Sequence, residues 1–349
     1  MNNNKSNNNQ SDNYNAVHHS GNNNKIELSI VVPMYNEAEN IKNTVSLIYT
    51  TMQAFNAPWE LIFVNDGSTD DSLEIAREWE LKRKNLRIIS YPANHGRGRA
   101  LREGFKNANG RYIVTIDFDL SYSPDHILKI YNELADPVQM NDVVLGSAYM
   151  KGGQTVGVSA FRLFISRLGN KVLEFAFPYR FKTTTCILRG YKREVIEALD
   201  LQSDQKEIHL EILSKICALG YNVKEIPATL TSRTKGTSKF RFKRTAFTHI
   251  LFSLFEKPII LFGIFGFLLT LGGLLIGLYV VWMRYAGTLH TDRPLIPLML
   301  LLLITGSQFF SFAFIASQNN YLRNELYRVQ KNIKKLNSRF SNLTDTDDI

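Results

Sequence analysis

Residues 28–37 read LSIVVPMYNE, a short run of β-forming apolar residues that ends in a polar segment. Further runs of this kind follow, and amphipathic stretches such as Ala38–Ala54 and Ser72–Lys84 separate most of them. The first of these helices is predicted to start at the cap-like Asn36-x-x-Glu39. Strands that alternate with helices predict an α/β domain on a mostly parallel sheet. The predicted strands are Leu28–Val32, Leu61–Asn65, Leu86–Ser90, Tyr112–Ile116 and Val143–Gly146.

Polar residues follow most of these strands. The first strand ends in PMYNE (33–37), the second in Asn65-Asp66-Gly67-Ser68 and the fourth in Asp117-Phe118-Asp119, while the third leads to NHGRG (94–98). In open α/β sheets, ligands bind at the carboxyl ends of the strands. Several acidic residues that converge there favour a binding site over a set of ordinary turns.

Asp117 and Asp119 are the best candidates for metal ligands. Two carboxylates at a strand end can flank a hard divalent cation that also binds substrate phosphates, such as Mg²⁺ or Mn²⁺. Surface turns also produce this spacing often, so the pair alone is weak evidence. The nearby Gly96-Arg97-Gly98 starts like a dinucleotide fingerprint but lacks its third glycine and its first-strand context, so an NAD-binding domain is not expected.

The positive charge of the chain is concentrated outside the predicted domain. The 349 residues include 41 Lys+Arg and 32 Asp+Glu, for a net charge of +9. Residues 1–232 are balanced, whereas 233–257 carry seven basic side chains and one acidic, and 319–340 carry six and one. This surplus flanks apolar runs, so nucleic acid is not the expected partner. Cys186 and Cys217 form neither a disulfide framework nor a metal cluster, which is typical of a reducing compartment.

Pro258–Met283 and Pro294–Gln318 are uncharged runs of 26 and 25 residues, longer than the ~20 needed for a spanning helix. The short link Arg284–Arg293 predicts a tight transmembrane hairpin. Basic residues before the first span and after the second place the globular domain and the C-terminal tail in the cytoplasm. Gly273, Gly277 and Gln308 are candidates for helix contacts, although chance is the favoured explanation in so glycine-rich a segment.

Two amphipathic segments flank the hairpin. Residues 240–257 mix phenylalanines with basic residues, which predicts a helix lying on anionic headgroups. After the second span, apolar residues recur at intervals of four and three, which fits either a coiled coil joining protomers or a helix on the membrane surface. These heptad residues are Leu322, Leu326, Val329, Ile333, Leu336 and Phe340.

Taken together, the motifs resemble the family 2 glycosyltransferases of GT-A fold, and among them the polyprenyl-phosphate glycosyltransferases related to dolichol-phosphate mannose synthase. The resemblance runs from about Ile26 to Lys239 and continues into the hairpin, as in the two-span members of that group. The motifs are Val32-Pro33-x-Tyr35-Asn36-Glu37, Val64-Asn65-Asp66-Gly67-Ser68, Asp117-x-Asp119-Leu120, Arg189-x-Tyr191-Lys192-Arg193, Glu225-x-Pro227 and Arg233-x-x-Gly236-x-Ser238-Lys239.

The resemblance implies a donor site for a nucleotide sugar. Asp117 and Asp119 would hold Mg²⁺ or Mn²⁺ on the diphosphate, and Arg233 and Lys239 would also approach the phosphates. The residues implied to hold the base and ribose are Pro33, Tyr35, Glu37 and Asp66. The chain departs from the family pattern at Ser121, where members often have Gln, at Ala148, where an acceptor-side Arg is common, and at 183–187, which read TTTCI.

The acceptor side is predicted around the amphipathic stretch Val156–Phe177, which suits the headgroup layer. Arg162 and Ser166 are four residues apart, so both can point to one face of a helix. They also match positions that contact the lipid phosphate in mannose-synthase-like enzymes, and Arg167 is the next cation in line. An ordinary core-facing helix with a solvated basic side fits the periodicity equally well.

The predicted order of domains begins with an Asn-rich disordered tail at 1–25, because so polar a segment cannot offset its ordering entropy. A GT-A domain at 26–239 and an interfacial helix at 240–257 follow. Transmembrane helices at 258–283 and 294–318 then enclose an extracytoplasmic loop at 284–293, and the cytoplasmic tail covers 319–349, with a homo-oligomer possible through the heptads or the spans. The predicted function is inverting transfer of one sugar from a nucleotide-diphosphate sugar to a polyprenyl phosphate.

Two alternatives remain open from the sequence. A polysaccharide or glycolipid synthase of the same family would use a sugar hydroxyl as acceptor, but processive synthases usually have more spans and a Q-x-x-R-W segment, which this chain lacks. A catalytically silent membrane tether would use the heptad tail, but retention of both metal carboxylates argues against it.

Overall fold

The computed structural model describes residues 25–174, 181–232, 258–287 and 294–344. The N-terminal tail predicted at 1–25, the interfacial segment at 240–257, and Arg233 and Lys239 lie outside the described residues, apart from Lys25.

The centre of the described domain is a mostly parallel sheet, as predicted. Its strands are β1 Leu28–Met34, β2 Trp59–Asp66, β3 Leu86–Tyr91, β4 Tyr112–Thr115, β5 Val143–Ser147, β7 Arg189–Lys192 and β8 Val223–Pro227, and a separate parallel pair is formed by β6 Gln154–Val156 and β9 Thr229–Thr231. Every predicted strand is present. In space the strands of the main sheet run β3-β2-β1-β4-β7-β5-β8, and β7 alone is antiparallel to its neighbours β4 and β5.

Helices cover both faces of the sheet and bury its alternating side chains. The helices of this domain are α1 Ile41–Met52, α2 Ser72–Lys82, α3 Arg97–Asn107, α4 Asp125–Ala135, α5 Ala160–Glu174, α6 Arg193–Ala198 and α7 Ile208–Ala218. Leu28, Ile30 and Val32 point into one apolar core, with α1 and α4, whereas Val31 points into the other, with α3 and α7. The α/β class predicted from the alternation of strands and helices is confirmed.

The predicted start of the first helix is wrong. α1 begins at Ile41 and its N-cap position is Asn40, without a side-chain cap. Asn36 instead has a left-handed φ of 54°, which Asn tolerates better than most residues, and its side chain accepts a hydrogen bond from another loop. The residue therefore belongs to the carboxyl end of β1 and not to the helix.

Two long helices, α8 Pro258–Tyr285 and α9 Leu295–Thr344, follow the domain. Both are long and apolar enough to cross a membrane. In each helix, only 11% of the most apolar 18-residue stretch is buried inside the protein, unlike in a core helix. The expectation that the glycine pair was a chance feature is wrong. A Cβ placed on Gly273 would lie 2.9 Å from the Leu303 side chain, and one on Gly277 3.0 Å from that of Met299, so both glycines line the packed face of the hairpin.

The tail predicted at 319–349 is, as far as Thr344, part of the second long helix. α9 continues without a break from the second span to Thr344, a length of about 75 Å at 1.5 Å per residue. The tail also contacts the globular domain: the Lys331 ammonium lies 3.8 Å from the centroid of the Tyr221 ring, and that of Lys215 lies 5.3 Å from the centroid of Tyr327. The spans predicted at 258–283 and 294–318 are thus parts of longer helices.

Candidate active site

The sheet order brings the predicted polar segments together. β1 lies between β2 and β4 and runs parallel to both, so their carboxyl ends meet at one edge of the sheet. The segments 33–37, 66–72 and 117–121 are therefore neighbours. This convergence was predicted from the alternation of elements and is the basis of the candidate site.

The loops after β1 and β2 are joined by short hydrogen bonds. The Asn36 amide donates to Ser68 Oγ at 3.0 Å, and the Thr69 amide donates to Asn36 Oδ1 at 2.8 Å. The Glu37 amide donates to Ser72 Oγ at 2.7 Å. These bonds fix the backbone that carries Pro33, Tyr35 and Glu37, all of which are half-buried at this edge. The Asn40 side chain further restrains Glu37 by donating to its carboxylate at 2.6 Å.

Asp66 organises the loop after β3. Its buried carboxylate accepts four hydrogen bonds of 2.8–2.9 Å, from the Tyr91 hydroxyl, the Asn94 side chain and the amides of His95 and Gly96. Burial, and then the bond to Asp66, raises the pKa of Tyr91. The role implied for Asp66 in holding the base and ribose stays a prediction, and the four bonds to its carboxylate fix this loop beside the candidate site.

Asp117 and Asp119 occupy one tight turn after β4. The Leu120 amide donates to the Asp117 carbonyl at 3.1 Å, and Leu120 has a left-handed φ of 48°. Between the carboxylates, the buried Phe118 packs on Phe63, and its carbonyl accepts a bond of 2.7 Å from the Thr44 hydroxyl. The turn is anchored to the core, which restrains the backbone that carries both carboxylates.

Each of these carboxylates has a neighbour that orients it. Arg97, the first residue of α3, lies 3.2 Å from Asp117 Oδ1 through its Nη2 atom. Asp119 Oδ1 accepts bonds from the Ser121 amide at 3.0 Å and hydroxyl at 2.6 Å. Ser121, a departure from the family pattern, therefore acts on the predicted metal ligand directly.

The donor set fits a hard divalent cation that is shared with a phosphate ligand. Across the described residues, no cluster of three or more His, Cys, Asp and Glu side chains with metal-binding geometry is present. Asp117 and Asp119 would supply two carboxylates, and Mg²⁺ typically completes its shell with water and substrate phosphate oxygens. This pairing suits a nucleotide diphosphate better than a permanently bound structural ion.

Two buried residues beside the site were not assigned a role from the sequence. The fully buried Arg189 guanidinium donates to the carbonyls of Thr184, Cys186 and His209, at 2.5, 2.9 and 2.9 Å. Burial, then the nearby Arg189 and Arg97, lowers the pKa of His209 well below its ordinary value. Arg189 was visible only as part of a motif, and His209 gave no sequence signal because a single His in an amphipathic helix is unremarkable.

On the predicted acceptor side, Ser166 accepts a hydrogen bond of 2.8 Å from the Tyr149 hydroxyl. The Arg167 guanidinium lies 5.8 Å from the centroid of the same ring. Phe164 and Leu168 are 65% and 53% exposed, so α5 carries apolar side chains on its outer side, unlike an ordinary core-facing helix. The side chain of Arg162 lies outside the described residues.

Residues 29–200 match the family described as Glycosyl transferase family 2. The chain is 30% identical over 221 residues to a dolichol-phosphate mannosyltransferase from Pyrococcus furiosus, which covers 62% of this chain and 60% of that relative's length. It is 26% identical over 305 residues to an undecaprenyl-phosphate 4-deoxy-4-formamido-L-arabinose transferase from Klebsiella pneumoniae, which covers 86% of this chain and 90% of the relative.

A solved structure shares the fold. Glucosyl-3-phosphoglycerate synthase from Mycobacterium tuberculosis, crystallised with Mn²⁺, UDP and glucosyl-3-phosphoglycerate, is 18% identical and matches with a TM-score of 0.50 over 66% of this chain and 80% of its own. This likeness and the family match confirm the GT-A fold predicted from the motifs.

Proposed function

Because residues 29–200 form a glycosyl transferase family 2 domain, we propose that the chain is a membrane-anchored inverting glycosyltransferase. Its donor is a nucleotide-diphosphate sugar, and its acceptor is a polyprenyl phosphate at the cytoplasmic face of the membrane. The acceptor oxygen attacks the anomeric carbon, the bond to the nucleoside diphosphate breaks, and the configuration at that carbon is inverted.

The observation that carries this proposal is the anchored turn of Asp117 and Asp119 beside the β1 loop. Its carboxylates are suited to hold Mg²⁺ or Mn²⁺, which would neutralise the charge of the departing diphosphate when bound. Arg97 lies 3.2 Å from Asp117 and adds positive charge at the same edge. Arg233 and Lys239, from the family pattern, are proposed to approach the phosphates from the segment before the hairpin.

A phosphate acceptor suits a site without a dedicated base. A phosphate monoester has a second pKa of about 6 and is already largely ionised at neutral pH, whereas a sugar hydroxyl must lose a proton during attack. The task of the protein is then to hold two anions close together. The names of both relatives, which specify a dolichol phosphate and an undecaprenyl phosphate, favour this acceptor class over a sugar hydroxyl.

The acceptor is proposed to enter along α5. Exposed Phe164 and Leu168 suit contact with the apolar boundary of the membrane, while Ser166 and Arg167 lie on the same helix beside Tyr149. Arg162 is proposed to bind the acceptor phosphate with Ser166, because the two positions share a helix face.

The globular domain and the tail are proposed to lie together on the cytoplasmic side. The contact of Lys331 with Tyr221 supports a common side for the two segments, and the basic residues that flank the hairpin support the cytoplasm as that side. Cysteine labelling from each side of sealed vesicles tests this topology. Labelling of the tail and of the domain from opposite sides would contradict it.

A donor and acceptor panel tests the function. Membranes that contain the full chain are incubated with labelled nucleotide sugars, each with and without a polyprenyl phosphate, and the organic phase is analysed. Label is expected there only with the correct donor, the added lipid phosphate and a divalent ion, and Asp119→Asn is the matched inactive control. A soluble or polymeric labelled product would favour the synthase alternative, and no turnover of any nucleotide sugar would favour the silent tether.

A further inference from the structure

One face of α9 carries a column of exposed residues at every seventh position. Gln308 and Ile315 belong to the apolar part of the helix, and Leu322, Val329 and Leu336 belong to the tail. Gln308 is exposed, and each of the other four side chains is 51–57% exposed. A seven-residue spacing held over four repeats is typical of a helix face that packs against another helix.

The opposite face of α9 is already covered. Gly306 packs against α8, where a Cβ would clash with the Thr270 hydroxyl. Farther along, Tyr327 and Lys331 contact the globular domain at Lys215 and Tyr221. At 100° per residue, these positions lie roughly opposite the exposed column, so neither the hairpin nor the domain covers it.

Each end of the column carries side chains that its surroundings would not favour. Gln308 lies near the middle of the apolar segment, and its side chain forms no hydrogen bond within the described part of the chain. Its neighbours Ser307 and Ser311 satisfy their hydroxyls on the backbone of α9, at 2.9 and 3.1 Å. An amide in hydrocarbon is unfavourable without a partner. Beyond the membrane, aliphatic side chains at 322–336 would instead face water.

The tail cannot turn this column toward the membrane surface. α9 is uninterrupted from Leu295 to Thr344, so the tail continues along the axis of the span and leaves the bilayer. A protein partner that runs along the whole column would cover the amide in the membrane and the aliphatic residues outside it.

We propose that this partner is α9 of a second copy of the chain, in a parallel two-stranded coil from Gln308 to Leu336. Copies inserted in one membrane share an orientation, so their helices run parallel and identical positions meet. Gln308 would then pair with Gln308 of the second copy, and a buried polar pair of this kind fixes the register of a coiled coil. The inference rests on the membrane anchoring proposed above and not on the transfer reaction.

The charges beside the column are compatible with this arrangement. In heptad notation, Leu326 and Ile333 occupy a positions and the column occupies d positions. In a parallel pair, a g residue of one helix faces the following e residue of the other helix. Glu325 would therefore face Gln330, and Asn332 would face Asn337. Neither pair brings like charges together. Tyr327 and Lys331, which contact the globular domain, fall at the outer b and f positions, so the globular domains would lie on the outside of the coil.

Disulfide cross-linking in native membranes tests the proposal. Val329→Cys in the full chain is compared with Arg328→Cys, a neighbour whose side chain is 60% exposed on another face of the helix, and with the unmodified chain as background for Cys186 and Cys217. Val329→Cys and Leu322→Cys are expected to form a covalent dimer several-fold more efficiently than Arg328→Cys. Equal yields of covalent dimer for Val329→Cys and Arg328→Cys, or no dimer at any position of the column, would overturn the proposal.

Two further variants separate the interface from a folding defect. Gln308→Leu keeps the segment apolar and is expected to reduce the Val329→Cys cross-link several-fold, because the polar pair that sets the register is lost. Val329→Asp is expected to convert the detergent-solubilised dimer to a monomer, while Arg328→Asp leaves it intact. A monomeric parent chain in membranes and detergent, or cross-links only to a different protein, would contradict the proposal whatever the result of the sugar-transfer assay.

Discussion

The proposed donor side and the proposed acceptor side of the candidate site are built differently. Around Asn36, Asp66 and Asp119, the loops that end β1, β2 and β4 are held by short hydrogen bonds and by a turn anchored in the core. On α5, the exposed Phe164 and Leu168 are accompanied by two polar residues, Ser166 and Arg167, which lie beside Tyr149. This contrast fits the proposed function, because a nucleotide-sugar donor needs fixed ligand positions and a lipid acceptor delivered by the membrane needs an apolar approach.

The largest expected effect comes from the donor side. Asp119→Asn removes a proposed metal ligand but keeps the shape of the side chain and its contact with Ser121. Turnover is expected to fall by roughly 100-fold or more, because the charge of the departing diphosphate is no longer neutralised. The thermal unfolding midpoint should change little, since the turn stays anchored through Phe118. Full activity of this variant, or of the unmodified protein in excess chelator, would remove the metal assignment.

Arg189 tests the buried support beside the candidate site, since its guanidinium links the 184–186 loop to α7. Arg189→Met leaves three buried carbonyls without their donor and is expected to reduce the free energy of unfolding of the domain by about 3 kcal/mol or more. Lys192→Met on the same strand is the control. It breaks only the partly exposed pair with Asp142, which contributes about 1 kcal/mol or less. Denaturant titration that gives similar losses for both would contradict this role.

Arg162 tests the acceptor side alone. If it binds the lipid phosphate, Arg162→Ala removes a charge-assisted contact of about 1.5–3 kcal/mol, so the apparent KM for polyprenyl phosphate should rise roughly tenfold or more. The affinity for the nucleotide sugar should not change. Arg162→Lys is the matched variant. If Arg162 only solvates the helix or touches headgroups, Arg162→Lys and Arg162→Ala should give similar kinetics. Unchanged acceptor kinetics for Arg162→Ala would reject this role, and Arg167 would then be the next cation to test.

The smallest expected effect is a pH dependence of stability at His209. Its pKa in the folded protein lies well below the ordinary 6.5 because of burial and then Arg189 and Arg97, so the unfolded chain binds the proton more readily. Neutral His209 makes its full contribution to the free energy of unfolding above pH 6.5. This contribution is lost as the pH falls toward the pKa of His209 in the folded protein, by up to about 1.4 kcal/mol per pH unit. His209→Phe should flatten this slope between pH 7 and 5. Parallel curves for the two proteins would show that His209 does not contribute.

The convergence of strand ends at the candidate site was predictable from the sequence, whereas strand β7 and the continuity of α9 were not. Runs such as Leu28–Val32 have a strong local pattern, and topology alone then brings Asp66 and Asp117 to one edge. Strand β7 was missed because it is four residues long, runs antiparallel and buries Arg189, whose charge resembles that of a surface residue. The continuity of α9 was missed because charge after Gln318 marks the end of a span but does not end a helix.

The structure of the lipid product tests the central claim most directly. After incubation of the full chain with its nucleotide sugar and a polyprenyl phosphate, mass spectrometry and phosphorus NMR of the extracted lipid report its mass and the state of its phosphate. The account predicts one added sugar residue and conversion of the phosphate monoester to a diester, with one nucleoside diphosphate released for each product. A lipid that keeps its monoester, or one that gains several sugar residues, would contradict it.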